Sequence, residues 1–557
     1  MTCAEREAHL ANRKKLHYQL HSQRSSLSTP HTAAANAAIQ SDSGHWYRVA
    51  AAFALALVVF WLLTGGKFDL LSGDGWIGPT DLAGSYAGSL VFQADTWRFP
   101  PGANPLFGNT SIVYSDSIPL AALFAKTIAG VFGKPVSYIG AWFGLNIFAT
   151  ALTALFLGKQ LALPRPVQAA LAILLTANVI SLARMIGAQH LALSSTWLVL
   201  VAFLLVLRRA SAPVWGLLLL LAAGVHAYLL AMCLAIYGCE ALRRRLWLQS
   251  VLLCIVLAGW MYLLGYGSPS MSSVATYDFK PFGADLAFFF NSFNWGVIPE
   301  TFKPAREPQF DALLFVGSGA CLLIVASIVT LLTRRVSLAA TRQLSALLVP
   351  TLIMLVAATG LSLQLGGHTL FDLPISSPWD KPFRTFRAVG RFGWAASYLL
   401  IIASVCLIAS WRSRWSAWIL CIACALQVAD VANAHRYTVV QPFTRLEQQP
   451  TMSALNDFLR HNADHWNREV YKLADFPELE ALQPADALLA KYGARFSATH
   501  SARQSQTEIQ QQNEAVAADL AQRKPGLYVI GPAHRAEVSV NMATALQVRG
   551  YLFFLIP

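Results

Sequence analysis

The sequence predicts a polytopic α-helical membrane protein with about 11–13 membrane segments and a small α/β domain at its C-terminus. Of its 557 residues, 55% are hydrophobic and only 13% are charged, which is typical of membrane proteins. Apolar runs of roughly 15–22 residues, long enough to cross hydrocarbon, recur between residues 46 and 431. Much of the net charge of +13 lies in short Arg clusters between these runs, where it marks cytoplasmic loops. We therefore assign no nucleic-acid role.

The first segments are read in order from the N-terminus. Residues 1–45 are polar and basic, and predict a disordered cytoplasmic tail before an uncleaved first helix, 46–64. The first outer loop, 65–117, then lies on the far side of the membrane. The apolar runs that follow it are 118–132, 136–157, 167–182 and a run that ends at 207.

Two basic clusters fix the topology of the next segment. Arg208–Arg209 and Arg243–Arg245 both predict cytoplasmic positions, so 213–241 must leave and return as two short helices, with a turn near 224–228. If every early run crossed the membrane fully, Arg208–Arg209 would lie outside. One early segment, either 118–132 or 167–182, is therefore predicted to be re-entrant or interfacial.

The rest of the membrane domain, which spans 46–430, alternates in the same way. The later apolar runs are 247–264, 312–332, 344–361, 392–409 and 415–428, and the outer loops among them are 265–310 and 362–391. Residues 431–557 have the composition of a soluble protein and predict the extracytoplasmic α/β domain. We expect its helices at 452–462 and 508–522 and its strands at 527–530 and 551–555.

The first outer loop carries the candidate catalytic carboxylates. Asp69, Asp74, Asp81, Asp95 and Asp116 all lie in it, and its many aromatic residues argue against disorder. Asp81 and Asp116 flank the loop at the membrane surface, where a carboxylate can deprotonate a hydroxyl or bind a divalent cation. The alternative for each is a helix N-cap. Asp69 and Asp74 are weaker candidates, because a Gly-Asp-Gly turn explains Asp74.

Three arginines in the last outer loop are candidate phosphate ligands. Arg384, Arg387 and Arg391 lie on the predicted outer side, where the positive-inside rule disfavours them. Arginine binds phosphate through paired N–H donors. The alternative is ion pairing with Asp372, Asp380 or the aspartates of the first loop.

Four further polar residues interrupt the apolar runs. Arg184 and His190 bracket one outer turn, and His226 and Tyr228 lie in another. Ionisable residues at membrane depth are functional candidates, whereas a single histidine at a helix end is more often structural.

Three segments resemble those of an uncharacterised bacterial membrane-protein family within the GT-C superfamily of membrane glycosyltransferases. They are Trp97–Gly102, Tyr114–Pro119 and Phe386–Phe392, and the resemblance extends over roughly residues 46–555. It implies a sugar transferase that uses a polyprenyl-phosphate or diphosphate donor on the non-cytoplasmic face. By this analogy Asp81 is the base or metal ligand, Asp116 is the second choice, and Arg387 and Arg391 hold the donor phosphate.

The resemblance sets the expected function. We expect a bacterial inner-membrane glycosyltransferase that transfers a sugar to an envelope glycan, lipid or protein on the periplasmic face. Its N-terminus would be cytoplasmic and its C-terminal domain periplasmic. No cofactor is required by the sequence. A divalent cation, Mg²⁺ or Mn²⁺, stays an option, although the first loop lacks the adjacent acidic pair of several GT-C families. The alternative function is a non-catalytic transporter or assembly partner for envelope polysaccharide on the same scaffold.

Overall fold

The structure is a computed structural model that describes most of the chain. The described residues are 45–65, 75, 77–78, 80–267, 278–304, 307–376, 378–411, 413–434, 445–500, 506–538 and 545–557. The predicted tail up to residue 44, together with Asp69 and Asp74, lies outside these ranges. The chain divides into a unit of residues 1–51, of which the structure describes the opening turns of the first helix, and a unit of residues 52–557.

α-Helices, most of them apolar, make up most of residues 45–434. They are α1 His45–Thr64, α2 Asp81–Ala94, α3 Pro119–Phe132, α4 Ile139–Gln160, α5 Arg165–Thr176, α6 Val179–Leu182, α7 Trp197–Leu207, α8 Ala212–Val225, α9 Ala227–Arg244, α10 Trp247–Leu264, α11 Ser318–Leu332, α12 Ser345–Ala358, α13 Lys381–Thr385, α14 Trp394–Ser410 and α15 Arg414–Ala434. The last of these continues past residue 430, where the soluble tail was predicted to begin.

Seven helical segments among the described residues are long and apolar enough to cross a membrane. They are His45–Thr64, Ile139–Gln160, Arg165–Gly187, Trp247–Leu264, Thr341–Ala358, Val389–Ser410 and Arg414–Asn433. Four shorter apolar helices accompany them. On α10, Leu248, Val251, Leu252 and Ile255 point away from the protein, as expected of a surface that faces lipid. The number of about 11–13 membrane segments stays a prediction.

Two breaks between helices place polar residues inside the apolar bundle. The predicted run 167–182 is interrupted at Asn178, whose side chain accepts a hydrogen bond from the Ile180 N–H and so starts α6. A π-helix, Ala183–Gly187, follows directly, a local form that is frequent at functional sites. The predicted turn near 224–228 is confirmed, because α8 ends at Val225 and α9 begins at Ala227.

The described C-terminal residues form a mixed five-stranded sheet with helices. Its strands are β5 Glu469–Leu473, β6 Arg495–Phe496, β7 Gly526–Ile530, β8 Leu546–Val548 and β9 Tyr551–Ile556, after two short hairpins: β1 Ala103–Asn104 with β2 Thr110–Ser111, and β3 Ser362–Leu365 with β4 His368–Asp372. The strand order is β6-β5-β7-β9-β8, and β5 lies parallel to both β6 and β7. The helices are α16 Pro450–His461, α17 Phe476–Ala481, α18 Gln483–Lys491 and α19 Gln506–Ala521.

The C-terminal sheet continues into the first outer loop. The Gly108 N–H donates to the Phe496 carbonyl at 3.0 Å, and the Phe496 N–H donates to the Leu106 carbonyl at 2.8 Å. Helix α18 packs on α2, and a buried 2.6 Å ion pair between Lys472 and Asp486 ties α18 to β5. The C-terminal residues therefore support the loop that carries the two candidate carboxylates.

Candidate functional site

Asp81 is the first residue of α2, but its side chain does not cap that helix. The N-cap residue is Thr80, which makes no side-chain cap and instead bonds to the Gln189 side chain. The Asp81 carboxylate makes no hydrogen bond or ion pair with the described part of the chain. Its pKa is raised by burial. The helix-cap alternative therefore does not describe Asp81. A partly buried carboxylate without a partner is available to a ligand.

Asp116 lies in a strained turn that ends the first outer loop. Its backbone is left-handed, with φ of 50°, and Ile118 two residues later has φ of 52°, which is a conformation that β-branched residues rarely adopt. Ile118 is the N-cap of α3, and no side chain caps this helix. The Ser117 hydroxyl donates to the Ser85 carbonyl on α2 at 2.6 Å. Strain of this kind is typical of functional sites and here fixes Asp116 beside α2.

Two histidines from separate helix breaks meet Asp116. Nε2 of His190 and Nε2 of His226 each lie 3.6 Å from a carboxylate oxygen of Asp116. The two imidazoles contact each other edge to face, with centroids 5.6 Å apart, and His226 stacks on Tyr228. The structure thus brings together three of the four polar residues predicted from the interrupted apolar runs.

The fourth, Arg184, belongs to a buried charge cluster beside them. Arg184 Nη1 lies 2.7 Å from Asp311 Oδ1, and Arg391 Nη2 lies 3.0 Å from Asp311 Oδ2. The Arg391 guanidinium also covers the Tyr228 ring, 4.8 Å from its centroid. One carboxylate holds two cations, so this cluster keeps a net positive charge. Asp311 was not singled out from the sequence, where its one signal is an acidic residue directly before the apolar run 312–332.

The three predicted phosphate ligands have different surroundings. Arg391 is buried, and its Nε–H has no hydrogen-bond partner in the described part of the chain. Arg387 lies over the Phe282 ring at 5.0 Å and is partly buried. Arg384 forms a 2.6 Å ion pair with Asp380, as the alternative to phosphate binding expected. Among the three, Arg391 carries the unused buried donor that an anionic ligand would satisfy.

The pKa values of Asp81 and Asp116 are shifted in opposite directions. Burial, with the charge of Asp116 added to it, raises the pKa of Asp81 to about 6. Burial alone would raise the pKa of Asp116 as well, but His190, His226 and Arg391 lower it to about 2. Burial lowers the pKa of His190 to about 3, so this imidazole is neutral at pH 7. Two neighbouring carboxylates with such different pKa values are typical of a site in which one group exchanges protons and the other stays ionised.

The residues around Asp116 can be tested against a divalent metal. The ligand atoms of Asp116, His190 and His226 lie within 4.8 Å of one another, and imidazole ligands suit Zn²⁺ better than Mg²⁺ or Mn²⁺. However, Nδ1 of His226 accepts the Tyr228 N–H at 3.1 Å, so neutral His226 carries its proton on Nε2, which faces Asp116. That nitrogen has no lone pair for a metal. Neutral His226 therefore turns an N–H rather than a lone pair towards Asp116 at 3.6 Å, and this arrangement does not fit a metal ion.

A second group of possible metal ligands lies in the C-terminal sheet. It consists of Asp475, Glu478 and His534. The Glu478 oxygens already accept the N–H groups of Asp475 and Ala533, both at 2.9 Å, and His534 Nε2 lies 3.1 Å from Asp475. These contacts join the loops after β5 and β7, which is a structural role.

The apolar helices and the polar group buried among them define a multi-pass membrane protein. Residues 53–432 match the family described as "Domain of unknown function (DUF6311)", and the chain belongs to this family. A crystal structure of ArnT from Cupriavidus metallidurans in the apo state is similar over 92% of this chain and 98% of that one, with 13% sequence identity and a TM-score of 0.45. No curated protein matches the chain.

Proposed function

We propose that this protein is an inner-membrane glycosyltransferase that transfers a sugar from a polyprenyl-phosphate donor to a cell-envelope acceptor on the periplasmic face. The observation that carries the proposal is the pairing of two carboxylates of unequal pKa with a buried cationic cluster. Carboxylates activate hydroxyl acceptors, and arginines stabilise a leaving phosphate. A transferase that uses a phosphate-linked donor needs both.

The proposed reaction is a single displacement. Asp81 takes the proton of an acceptor hydroxyl while the acceptor oxygen attacks the anomeric carbon of the sugar. The bond between that carbon and the phosphate oxygen breaks, and the polyprenyl phosphate leaves with the electron pair. Arg391, through its unused Nε–H, and Arg387 stabilise the phosphate. Asp116 stays ionised and supports Asp81 by raising its pKa.

Asp81 is a suitable base on electrostatic grounds. General-base catalysis is most efficient when the pKa of the base lies near the working pH, and the pKa of Asp81 is raised to about 6. Asp116, with its lowered pKa, is the weaker base of the two. The proton on Nε2 of His226 points towards Asp116 and further stabilises its ionised form.

Replacement of Asp81 tests the proposal. Wild type, Asp81→Asn and the control Asp95→Asn would be purified in detergent and assayed for transfer from a panel of polyprenyl-phosphate sugars. Asp95 lies in the same outer loop and forms a 2.6 Å ion pair with Arg98, whose side chain is 41% exposed, so loss of this pair should cost little stability. We expect Asp81→Asn to lose activity by about 10²–10⁴-fold, the usual contribution of a general base. Asp95→Asn should keep it.

The other results are also informative. Activity that survives in a folded Asp81→Asn protein would exclude Asp81 as the base and move that role to Asp116. A wild-type protein that binds the lipid donor but transfers no sugar would favour the alternative, a non-catalytic transporter or assembly partner for envelope polysaccharide.

A further inference from the structure

His500 belongs to the C-terminal sheet, far from the membrane helices in sequence. It follows β6 by four residues and so lies at the carboxyl end of a strand parallel to β5. In open sheets with parallel strands, ligands bind outside the carboxyl ends of those strands. Nothing in the sequence around His500 suggests a ligand.

The pairing of β6 with the first outer loop brings His500 towards the Asp116 site. The rings of Phe107 and Phe496 meet at 5.4 Å, and a Cβ added to Gly108 would lie 2.7 Å from the Thr499 hydroxyl. On its other side Phe107 packs on Gly88 of α2, beside Ser115. A continuous line of contacts therefore leads from the residue before His500 to the residue before Asp116.

The His500 side chain is largely enclosed and incompletely satisfied. Its Nδ1 is buried without a hydrogen-bond partner in the described part of the chain, and its ring packs on Phe476 at 4.8 Å. The charges of Asp116, Arg387 and Lys472 all act on its imidazole. Burial lowers the pKa of His500 to about 4, so the imidazole is neutral at pH 7 and one of its nitrogens can donate a hydrogen bond.

We propose that His500 is a donor-binding residue that the C-terminal region supplies to the Asp116 site, where its Nδ1–H bonds to a phosphate oxygen of the lipid-linked substrate. The inference rests on the proposed function, because that function provides the phosphate. It makes the C-terminal sheet part of the substrate site, in addition to its role in supporting the first outer loop.

Binding of undecaprenyl phosphate to the full-length protein in detergent tests the inference without any requirement for turnover. The variants are His500→Ala, His500→Asn, which keeps an N–H donor near the position of Nδ1, and the control His461→Ala. His461 is an exposed histidine of α16 whose Nδ1 bonds to the Asp457 carbonyl. We expect His500→Ala to weaken binding about 10-fold, the usual effect of losing one hydrogen bond to a charged group, His500→Asn to recover most of it, and His461→Ala to have no effect.

The outcomes separate this inference from the proposed function. Wild-type affinity in His500→Ala, or equal losses in His500→Ala and His500→Asn, would overturn the role of His500 alone. Binding with the expected His500 pattern but no sugar transfer by wild type would overturn the transferase and keep the binding residue. A wild-type protein that does not bind undecaprenyl phosphate would overturn both.

Discussion

Asp430 is buried on a membrane helix, whereas Asp116 is half-buried at the end of the first outer loop, and the surroundings of the two carboxylates differ in kind. Asp430 accepts hydrogen bonds from the Val297 N–H at 2.8 Å and from the N–H and hydroxyl of Ser318, both at 2.6 Å. These donors fix the start of α11 and the loop before it. Asp116 accepts no backbone hydrogen bond in the described part of the chain and faces two imidazoles at 3.6 Å.

The difference shows how a structural carboxylate can be told from one that is available to a ligand. A buried carboxylate with a structural role accepts hydrogen bonds from backbone N–H groups, because a buried N–H group without a partner destabilises the fold. The carboxylates of Asp81 and Asp116 accept no backbone hydrogen bond in the described part of the chain. Asp81 is positioned by α2, and Asp116 by the strained turn.

The largest effect on stability is expected at Asp311, which forms ion pairs with both Arg184 and Arg391. Asp311→Ala leaves two buried guanidinium groups without their anion, and breaking a buried pair in this way costs about 3–5 kcal/mol. Thermal unfolding in detergent would measure the loss. Asp372→Ala is the control, since its ion pair with Lys280 is exposed. Equal unfolding temperatures for both variants would show that the cations do not depend on Asp311.

The second prediction sets Asp430→Asn against Asp116→Asn. In Asp430→Asn an amide N–H₂ opposes the Ser318 N–H, so we expect a loss of about 2–4 kcal/mol in unfolding free energy. Asp116→Asn removes an ionised group whose lowered pKa stabilises the fold, so we expect a smaller loss, about 1–2 kcal/mol at pH 7. It should lower sugar transfer by about tenfold or less, because Asp81 loses one of the neighbours that raise its pKa. A loss of stability in Asp116→Asn as large as that in Asp430→Asn, with unchanged sugar transfer, would place Asp116 with the structural carboxylates.

The third prediction concerns the contact that holds the Asp116 turn on α2. A Cβ on Gly88 would lie 2.6 Å from Ser115 Cβ and 3.2 Å from the Phe107 ring, so Gly88→Ala should cost about 1–3 kcal/mol and reduce transfer. Gly130→Ala on α3 is the matched control. No atom lies within 4 Å of its added Cβ, so it should be neutral or stabilise the protein by about 0.5–1 kcal/mol. Unfolding temperatures and initial rates of both variants would measure the difference.

The smallest expected effect is the change of activity and stability with pH that follows from the ionisation of Asp81. Asp81 must be deprotonated to act, and its pKa is raised to about 6, so kcat/KM should rise about tenfold per pH unit below pH 6 and level off above it. The same shift has the opposite sign for stability: the folded protein binds the Asp81 proton more tightly than the unfolded chain, so ionisation of Asp81 above about pH 6 costs stability. Asp81→Asn should therefore unfold at a higher temperature than wild type at pH 8 but not at pH 4. An unfolding difference that grows towards low pH would contradict the raised pKa.

The amino-acid sequence was enough to predict a polytopic membrane protein and most of its helices. The predicted segments 46–64 and 247–264 correspond to His45–Thr64 and Trp247–Leu264, and the predicted strands 527–530 and 551–555 to Gly526–Ile530 and Tyr551–Ile556. These features follow from local hydrophobicity and periodicity, which adjacent residues determine. The interruptions at 184–190 and 226–228 were also visible, because polar residues are conspicuous in apolar runs.

The contacts among these residues could not be predicted from the sequence. The ion pairs of Asp311, the imidazoles at Asp116 and the pairing of β6 with the first outer loop join residues about 75 to 390 positions apart in the chain. No local pattern specifies such contacts, because they depend on which helices pack together and in what rotation. For the same reason, the flanking residues allow a helix cap at both Asp81 and Asp116, and the sequence could not exclude it. In the packed structure neither side chain caps a helix.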